Sequence, residues 1–185
     1  MTASEHVLIL LSLIISLALA QVLSGLARLI QARGVRWSAL HAVWVFYTFL
    51  ILIDYWISVW QLRLQDVWTI WQVFFWVALA VLHYLFAALV VPSRALDGGI
   101  DLGDFHERNR SRYLSIFLLS MAFAFSANLM LEGFASANLV IIVNVFCLIA
   151  AGFARQRWLQ WAGTIGTGVL FAIYFAIFMG NIQQF

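Results

Sequence analysis

Six stretches of this chain are apolar over a length that reaches, or nearly reaches, the width of a bilayer, and they leave little sequence over. A hydrocarbon core of about 30 Å takes about 20 residues of helix. The stretches are roughly residues 6–30, 38–60, 68–91, 113–131, 138–154 and 159–180, the fifth being the shortest. Only 10% of the residues are charged against 65% apolar, whereas soluble domains carry about a quarter charged. The expectation is an all-α, polytopic membrane protein: one integral domain over residues 1–185, six transmembrane helices, and no soluble module. The first stretch is expected to be a retained span, because it lacks a basic leader and is too long for a signal peptide.

All ten basic residues are arginine. Without lysine the chain cannot form a retinal or pyridoxal Schiff base, which removes both chemistries. The net charge of +2 does not mark a nucleic-acid binder, since the arginines are scattered along helix ends and form no basic stripe. The lone Cys147 excludes an intrachain disulfide.

The arginines also give a direction. Arg28, Arg33 and Arg36 follow the first span; Arg94, Arg108, Arg110 and Arg112 lie in or beside the loop 93–112; Arg155 and Arg157 follow the fifth span. Only Arg63 falls on the other side. By the positive-inside rule the odd-numbered loops are cytoplasmic and both termini periplasmic. Tryptophans agree with this frame, Trp37, Trp158 and Trp161 near inner ends and Trp56, Trp60, Trp68 and Trp71 near outer ones, where anchoring is their ordinary use. In the long loop, Asp104 and Glu107 read as a capping pair that starts the fourth helix before it enters lipid. Arg108 and Arg112, at i and i+4, then share a face toward lipid phosphates.

The stretches "GLARLIQARG", "DYW" and "DLGDFHERNRSRYLSIF", with Pro92 closing the third span, resemble a family of small, uncharacterised bacterial integral membrane proteins. The resemblance covers most of the first 120 residues and implies a bacterial inner-membrane location. It implies no activity.

One acid stands out within the spans. Asp54 lies six residues before Trp60, which at 1.5 Å per residue puts it about 9 Å below the outer interface. An ionisable group at that depth costs on the order of 2–3 kcal/mol and is expected to face protein or water. Tyr47, Asp54, Ser58 and Gln61 share one side of the second span; Thr69, Gln72, Trp76 and His83 share one side of the third. Folding the two into a hairpin brings Gln72 to the level of Asp54. The functional reading is an outward-facing vestibule for a cation, a proton or a small polar solute, with His83 deeper as a relay or gate. The bland reading is a polar clasp between helices.

Other chemistries find less support. His6, His41, His83 and His106 are the only imidazoles, and His41 and His83 differ in level by about five residues, too much for a bis-histidine haem. Asp101, Asp104, His106 and Glu107 are metal-ligand types in one loop, but no metal motif or nucleophile elbow accompanies them. No catalytic residue, bound metal or cofactor is expected, and a single intramembrane aspartate does not make an intramembrane protease.

Two ladders of small residues permit close helix contact: Ser12, Ser16, Ala20 and Ser24 in the first span, and Thr164, Gly168, Ala172, Ala176 and Gly180 in the sixth. They serve packing within the monomer or a homo-oligomer seam. Asn128 and Asn144 are expected to bond across the fourth and fifth spans. The leading functional expectation is a channel- or transporter-like protein. One alternative is a non-enzymatic accessory or sensing protein acting through homo- or hetero-oligomerisation, with the bilayer and no soluble domain as its surroundings. Another is a membrane redox or lipid-headgroup enzyme.

Overall fold

The computed structural model describes residues 3–65, 67–92, 99–131, 133–134 and 136–179. Among these residues six α-helices follow one another: α1 Ala3–Gln31, α2 Ala39–Trp60, α3 Ile70–Val90, α4 Leu102–Leu131, α5 Ser136–Phe153 and α6 Arg157–Tyr174, the last continuing as a π-helical turn Phe175–Met179. Two two-residue strands, β1 Val35–Arg36 and β2 Ile100–Asp101, sit in the loops. α1, α2, α3, α4 and α6 are long and apolar enough to cross a membrane. At 18 residues, α5 rises about 27 Å, slightly short of a hydrocarbon core. The chain is thus almost wholly helical, as a polytopic protein would be, and its surface carries large apolar side chains such as Leu13, Phe46, Phe74, Phe146 and Ile165. Water would not tolerate that surface and lipid does, which fits a membrane protein.

The chain divides into two compact units, residues 1–109 and 110–185, with α4 running from the first into the second. In the first unit α1 packs mainly on α3, and α2 packs on both. The packed face of α1 is Ser4, Val7, Leu11, Ile15, Ala18, Val22, Gly25 and Leu29, a spacing of three and four residues that keeps one stripe of a helix in line. Gly25 faces the Val91 side chain so closely that a Cβ would overlap it. Lipid gives helices no hydrophobic reason to associate, so this kind of close backbone approach is what holds them together. The ladder Ser12, Ser16, Ala20 and Ser24 is on another side of α1: Ser12 is half-buried and the other three are exposed.

The ends of the first unit are tied by polar contacts. At one end Ser4 Oγ donates to the Gln65 carbonyl, and Trp68 Nε1 donates to Ser4 Oγ at 3.0 Å. The start of α1 therefore sits beside the α2–α3 connection. Thr69 and Gln72 form a reciprocal capping box at the start of α3, satisfying two amides that a helix N-terminus leaves open. At the other end β1 and β2 pair in parallel, Val35 with Ile100 and Arg36 with Asp101. Gly99 has φ +77°, and a Cβ there would meet the Gly34 carbonyl oxygen at 2.7 Å, so this crossing requires glycine.

Asp101 starts α4. Its Oδ1 accepts from the Gly103 amide at 2.8 Å and the Asp104 amide at 3.2 Å, and its Oδ2 meets Arg36 Nη1 at 3.1 Å. The Asp104 amide above all holds this carboxyl below its ordinary range; desolvation opposes it next in size, and the Gly103 amide and the Arg36 guanidinium add smaller lowering effects. The cap is thus Asp101, not the expected Asp104–Glu107 pair. The helix does begin well ahead of the apolar stretch, as anticipated.

In the second unit α5 and α6 form the tightest pair. A Cβ on Gly163 would overlap the Cys147 carbonyl oxygen and the Ala151 amide nitrogen, and one on Gly166 would press the Cys147 sulfur. The contact therefore runs through Gly163 and Gly166. Of the ladder read from sequence, Thr164 is buried and Gly168 half-buried, Ala172 and Ala176 are exposed, and Gly180 lies outside the described residues. Arg110 closes the C-terminal end of α5, its Nη1 donating to the Ala151 carbonyl at 3.0 Å and its Nη2 to the Ala154 carbonyl at 2.8 Å. A cation there also opposes the negative end of the helix dipole. The expected Asn128–Asn144 bond is not made: Asn144 Oδ1 is buried and has no hydrogen-bond partner among the described residues.

Because α5 meets α6 backbone to backbone, Gly163→Val should destabilise the chain by about 1–3 kcal/mol through overpacking. Ala172→Val, on an open face, should change stability by less than about 0.5 kcal/mol. Thermal unfolding midpoints of the two variants in one detergent check this. Equal shifts would place the α5–α6 contact elsewhere.

Candidate functional site

Asp54 lies past the middle of α2, toward the end that α2 shares with the α2–α3 connection. The buried stripe of α2 is Leu40, His41, Trp44, Val45, Thr48, Ile51, Leu52, Tyr55 and Val59. One residue on from Tyr55 turns a helix by about 100°, so Asp54 stands at the margin of this stripe. The residue is half-buried, yet its Oδ1 is fully enclosed and has no hydrogen-bond partner among the described residues. A buried polar atom left unpaired costs about 1–3 kcal/mol, and more when charged. The polar contact of α2 with α3 is made by the neighbour of Asp54.

That neighbour is Tyr55. Its hydroxyl donates to the Trp76 carbonyl at 2.9 Å, and its ring stacks on His83 with centroids 4.7 Å apart at 30°. His83 in turn turns Nδ1 to the Leu79 carbonyl at 2.8 Å, so that nitrogen carries the proton and donates it. Tyr55, Trp76 and His83 thus lock α2 to α3 with both polar hydrogens given to backbone oxygens. His83 is brought into a packing contact, and its Nδ1 proton is committed within its own helix.

The other residues of the expected vestibule separate. Gln72 does not bond Asp54: its Oε1 accepts from the Thr69 amide at 2.9 Å and the Thr69 hydroxyl at 3.1 Å, and the capping box keeps it at the mouth of α3. The competing demand was the open N-terminus of the helix, which a hairpin mirror argument ignores. Tyr47 and Ser58 are half-buried on the Asp54 side of α2, and the Tyr47 ring sits edge-on to Trp44 at 5.5 Å. The Gln61 backbone belongs to a 3-10 turn, Gln61–Leu64, and its side chain lies outside the described residues. Tyr47, Asp54 and Ser58 therefore remain as one polar edge.

Sequence reasoning passed over Tyr55 as an anchor. Its place at seven residues from Thr48 and four from Val59 and Ile51, on a recurring buried stripe, was the available signal. It also passed over a histidine pair. His41 and His106 are both buried, their rings 6.3 Å apart at 73°, with Phe105 edge-on to His41 at 5.5 Å. His106 was hidden by its charged neighbours, which make the segment read as a solvated loop when it is already the second turn of α4. Among the described residues no three or more ligating side chains gather to hold a metal.

In the second unit Asn144 Oδ1, Gln160 Oε1 and Thr167 Oγ1 are also enclosed without a hydrogen-bond partner among the described residues. They are neutral groups, which water molecules satisfy readily. Asp54 differs from them in being ionisable, as does His41, both of whose ring nitrogens are enclosed without a hydrogen-bond partner among the described residues; of the two, only Asp54 is an acid.

No protein-family model, curated protein or solved structure matches the chain.

Removing the Tyr55 hydroxyl takes away one hydrogen bond and leaves the ring stack. Tyr55→Phe should therefore cost about 1 kcal/mol of stability, seen as a small drop in the unfolding midpoint in detergent. An unchanged midpoint would show that the bond to Trp76 does not tie α2 to α3.

Proposed function

We propose that this chain is a six-span bacterial inner-membrane protein of channel or transporter character. Both of its termini are periplasmic, and it passes a cation, a proton or a small polar solute along a polar edge at Asp54. The observation that carries the reading is the enclosed, unpartnered Oδ1 of an acid in a helix long enough to cross the membrane. Intramembrane acids are costly, and they are kept where a pathway uses them. The half-buried state of the residue supports access from one side, with Ser58 one turn nearer that end and Tyr47 two turns below.

Contacts within the first unit support the direction. The start of α1 lies with the α2–α3 connection, and the segment between α1 and α2 pairs with the segment before α4. The first of these ends carries Arg63 and the second carries Arg33 and Arg36, the asymmetry that the positive-inside rule requires.

Reconstituted into proteoliposomes, the wild-type chain should raise the flux of at least one such species above that of protein-free liposomes. Asp54→Asn, which keeps shape and removes the acid, should abolish the increase. Flux unchanged by Asp54→Asn would take the acid out of the mechanism. Wild-type flux at the protein-free level for every species would remove the class.

A further inference from the structure

Resting on the transport reading of Asp54, we infer that the species Asp54 handles is the proton, and that the site binds neither a metal cation nor a neutral solute. A hard cation leaving water needs a shell of oxygens, six to eight for calcium and a near-ideal octahedron for magnesium. Among the described residues Asp54 has no such shell. Gln72, the one amide in α3 that could have reached it, spends its oxygen on Thr69. The Tyr55 hydroxyl is turned to the Trp76 carbonyl. Tyr47 lies seven residues away along α2, about 10 Å of rise, too far to close on the same ion. Ser58 alone is within one turn. A carboxylate and one hydroxyl do not replace the hydration of a metal ion. A neutral polar solute would need several donors and acceptors held in place, and the same commitments withhold them.

A proton asks for less. It binds to one carboxylate oxygen, needs no coordination shell, and turns the ion into a neutral acid that tolerates apolar surroundings. Asp54 Oδ1 is enclosed and unpartnered, and no arginine lies within α2 or α3 to hold the carboxylate in its charged form. The other titratable side chains of these two helices are His41, Tyr47, Tyr55, His83 and Tyr84, none of them acidic or permanently charged; of the elements packed against them, α1 carries Glu5 and His6 at its start and Arg28 at its end, and the turn after α2 carries Arg63, whose guanidinium lies over the Trp60 ring 4.9 Å from its centroid. In the transfer step a hydronium ion at the outer water gives its proton to the Asp54 carboxylate, leaving water and a neutral carboxyl group. Release is the reverse reaction with water on the inner side: the O–H bond breaks, its electron pair stays on the carboxylate, and the proton passes to water as hydronium.

The test uses the full chain in liposomes that enclose a pH-sensitive dye, with an inward-driving potassium diffusion potential. Parallel samples follow radioactive sodium uptake and swelling in glycerol. The expected result is internal acidification by the wild type, its loss in Asp54→Asn, and its partial return in Asp54→Glu, with no Asp54-dependent sodium uptake or swelling. The return in Asp54→Glu also shows that the loss in Asp54→Asn is chemical and not a folding failure. Sodium uptake or glycerol swelling that depends on Asp54 would overturn the proton assignment and leave the transport reading standing. Absence of any Asp54-dependent flux would overturn both.

Discussion

The interior of a bilayer supplies no hydrogen-bond partner, so a segment that crosses it must satisfy its backbone within itself. That constraint shapes each part of this chain. Its helices bond internally from end to end, and the exceptions gather at the ends where the internal ladder runs out. There the chain supplies partners of its own: Thr69 and Gln72 for the first amides of α3, Asp101 for those of α4, and Arg110 for the last carbonyls of α5. Between helices the same lack of water removes the usual reason to associate. Close contact is left to residues without side-chain bulk, Gly25 against Val91 and Gly163 against the α5 backbone.

Against that background a polar group inside a span is meaningful when nothing answers it. Tyr55 and His83 are answered, each by a backbone carbonyl and by each other's ring. They hold α2 to α3, and the neighbouring Asp54 Oδ1 has no hydrogen-bond partner among the described residues. An enclosed carboxylate oxygen with no partner is the costliest kind of exception, and the proposed proton chemistry gives it a use. The acid and the lock are adjacent in sequence, so the rigid Tyr55–His83 contact also fixes the depth and direction of Asp54.

Much of the helical plan was legible in the chain, because long apolar stretches bounded by Arg, Trp and Gly leave few alternatives. Six helices lie over the six stretches read, five of them long and apolar enough to cross a membrane, and α4 extends toward its loop as its acidic start suggested. What could not be read were the assignments among residues of equal merit. Gln72 was an equally good partner for Asp54 and for Thr69, and the open helix terminus won because it lies three residues away. The small residues of α6 fall on several faces at once. Gly163 and Gly166 differ from Gly168 only in which side α5 occupies, and that is a tertiary fact. His106 and Asp101 sat in a segment whose charge suggested solvent. Their roles, one buried beside His41 and one capping α4 while meeting Arg36, depend on a two-residue pairing between loops some 65 positions apart, which no local pattern announces.

The proposed transport role requires that water reach position 54 from the end of α2 that carries the α2–α3 connection, the side proposed to be periplasmic. The direct measurement is labelling of Asp54→Cys, in a background where Cys147 is replaced by serine, with a membrane-impermeant thiol reagent that reacts with the thiolate formed in water. Applied from the periplasmic face of oriented vesicles, the reagent should modify the residue at position 54. A cysteine substituted for Phe46, on an exposed apolar face of the same helix, should stay unmodified. If position 54 is as inert as position 46, Asp54 is sealed in protein or turned to lipid, and no permeation pathway passes it.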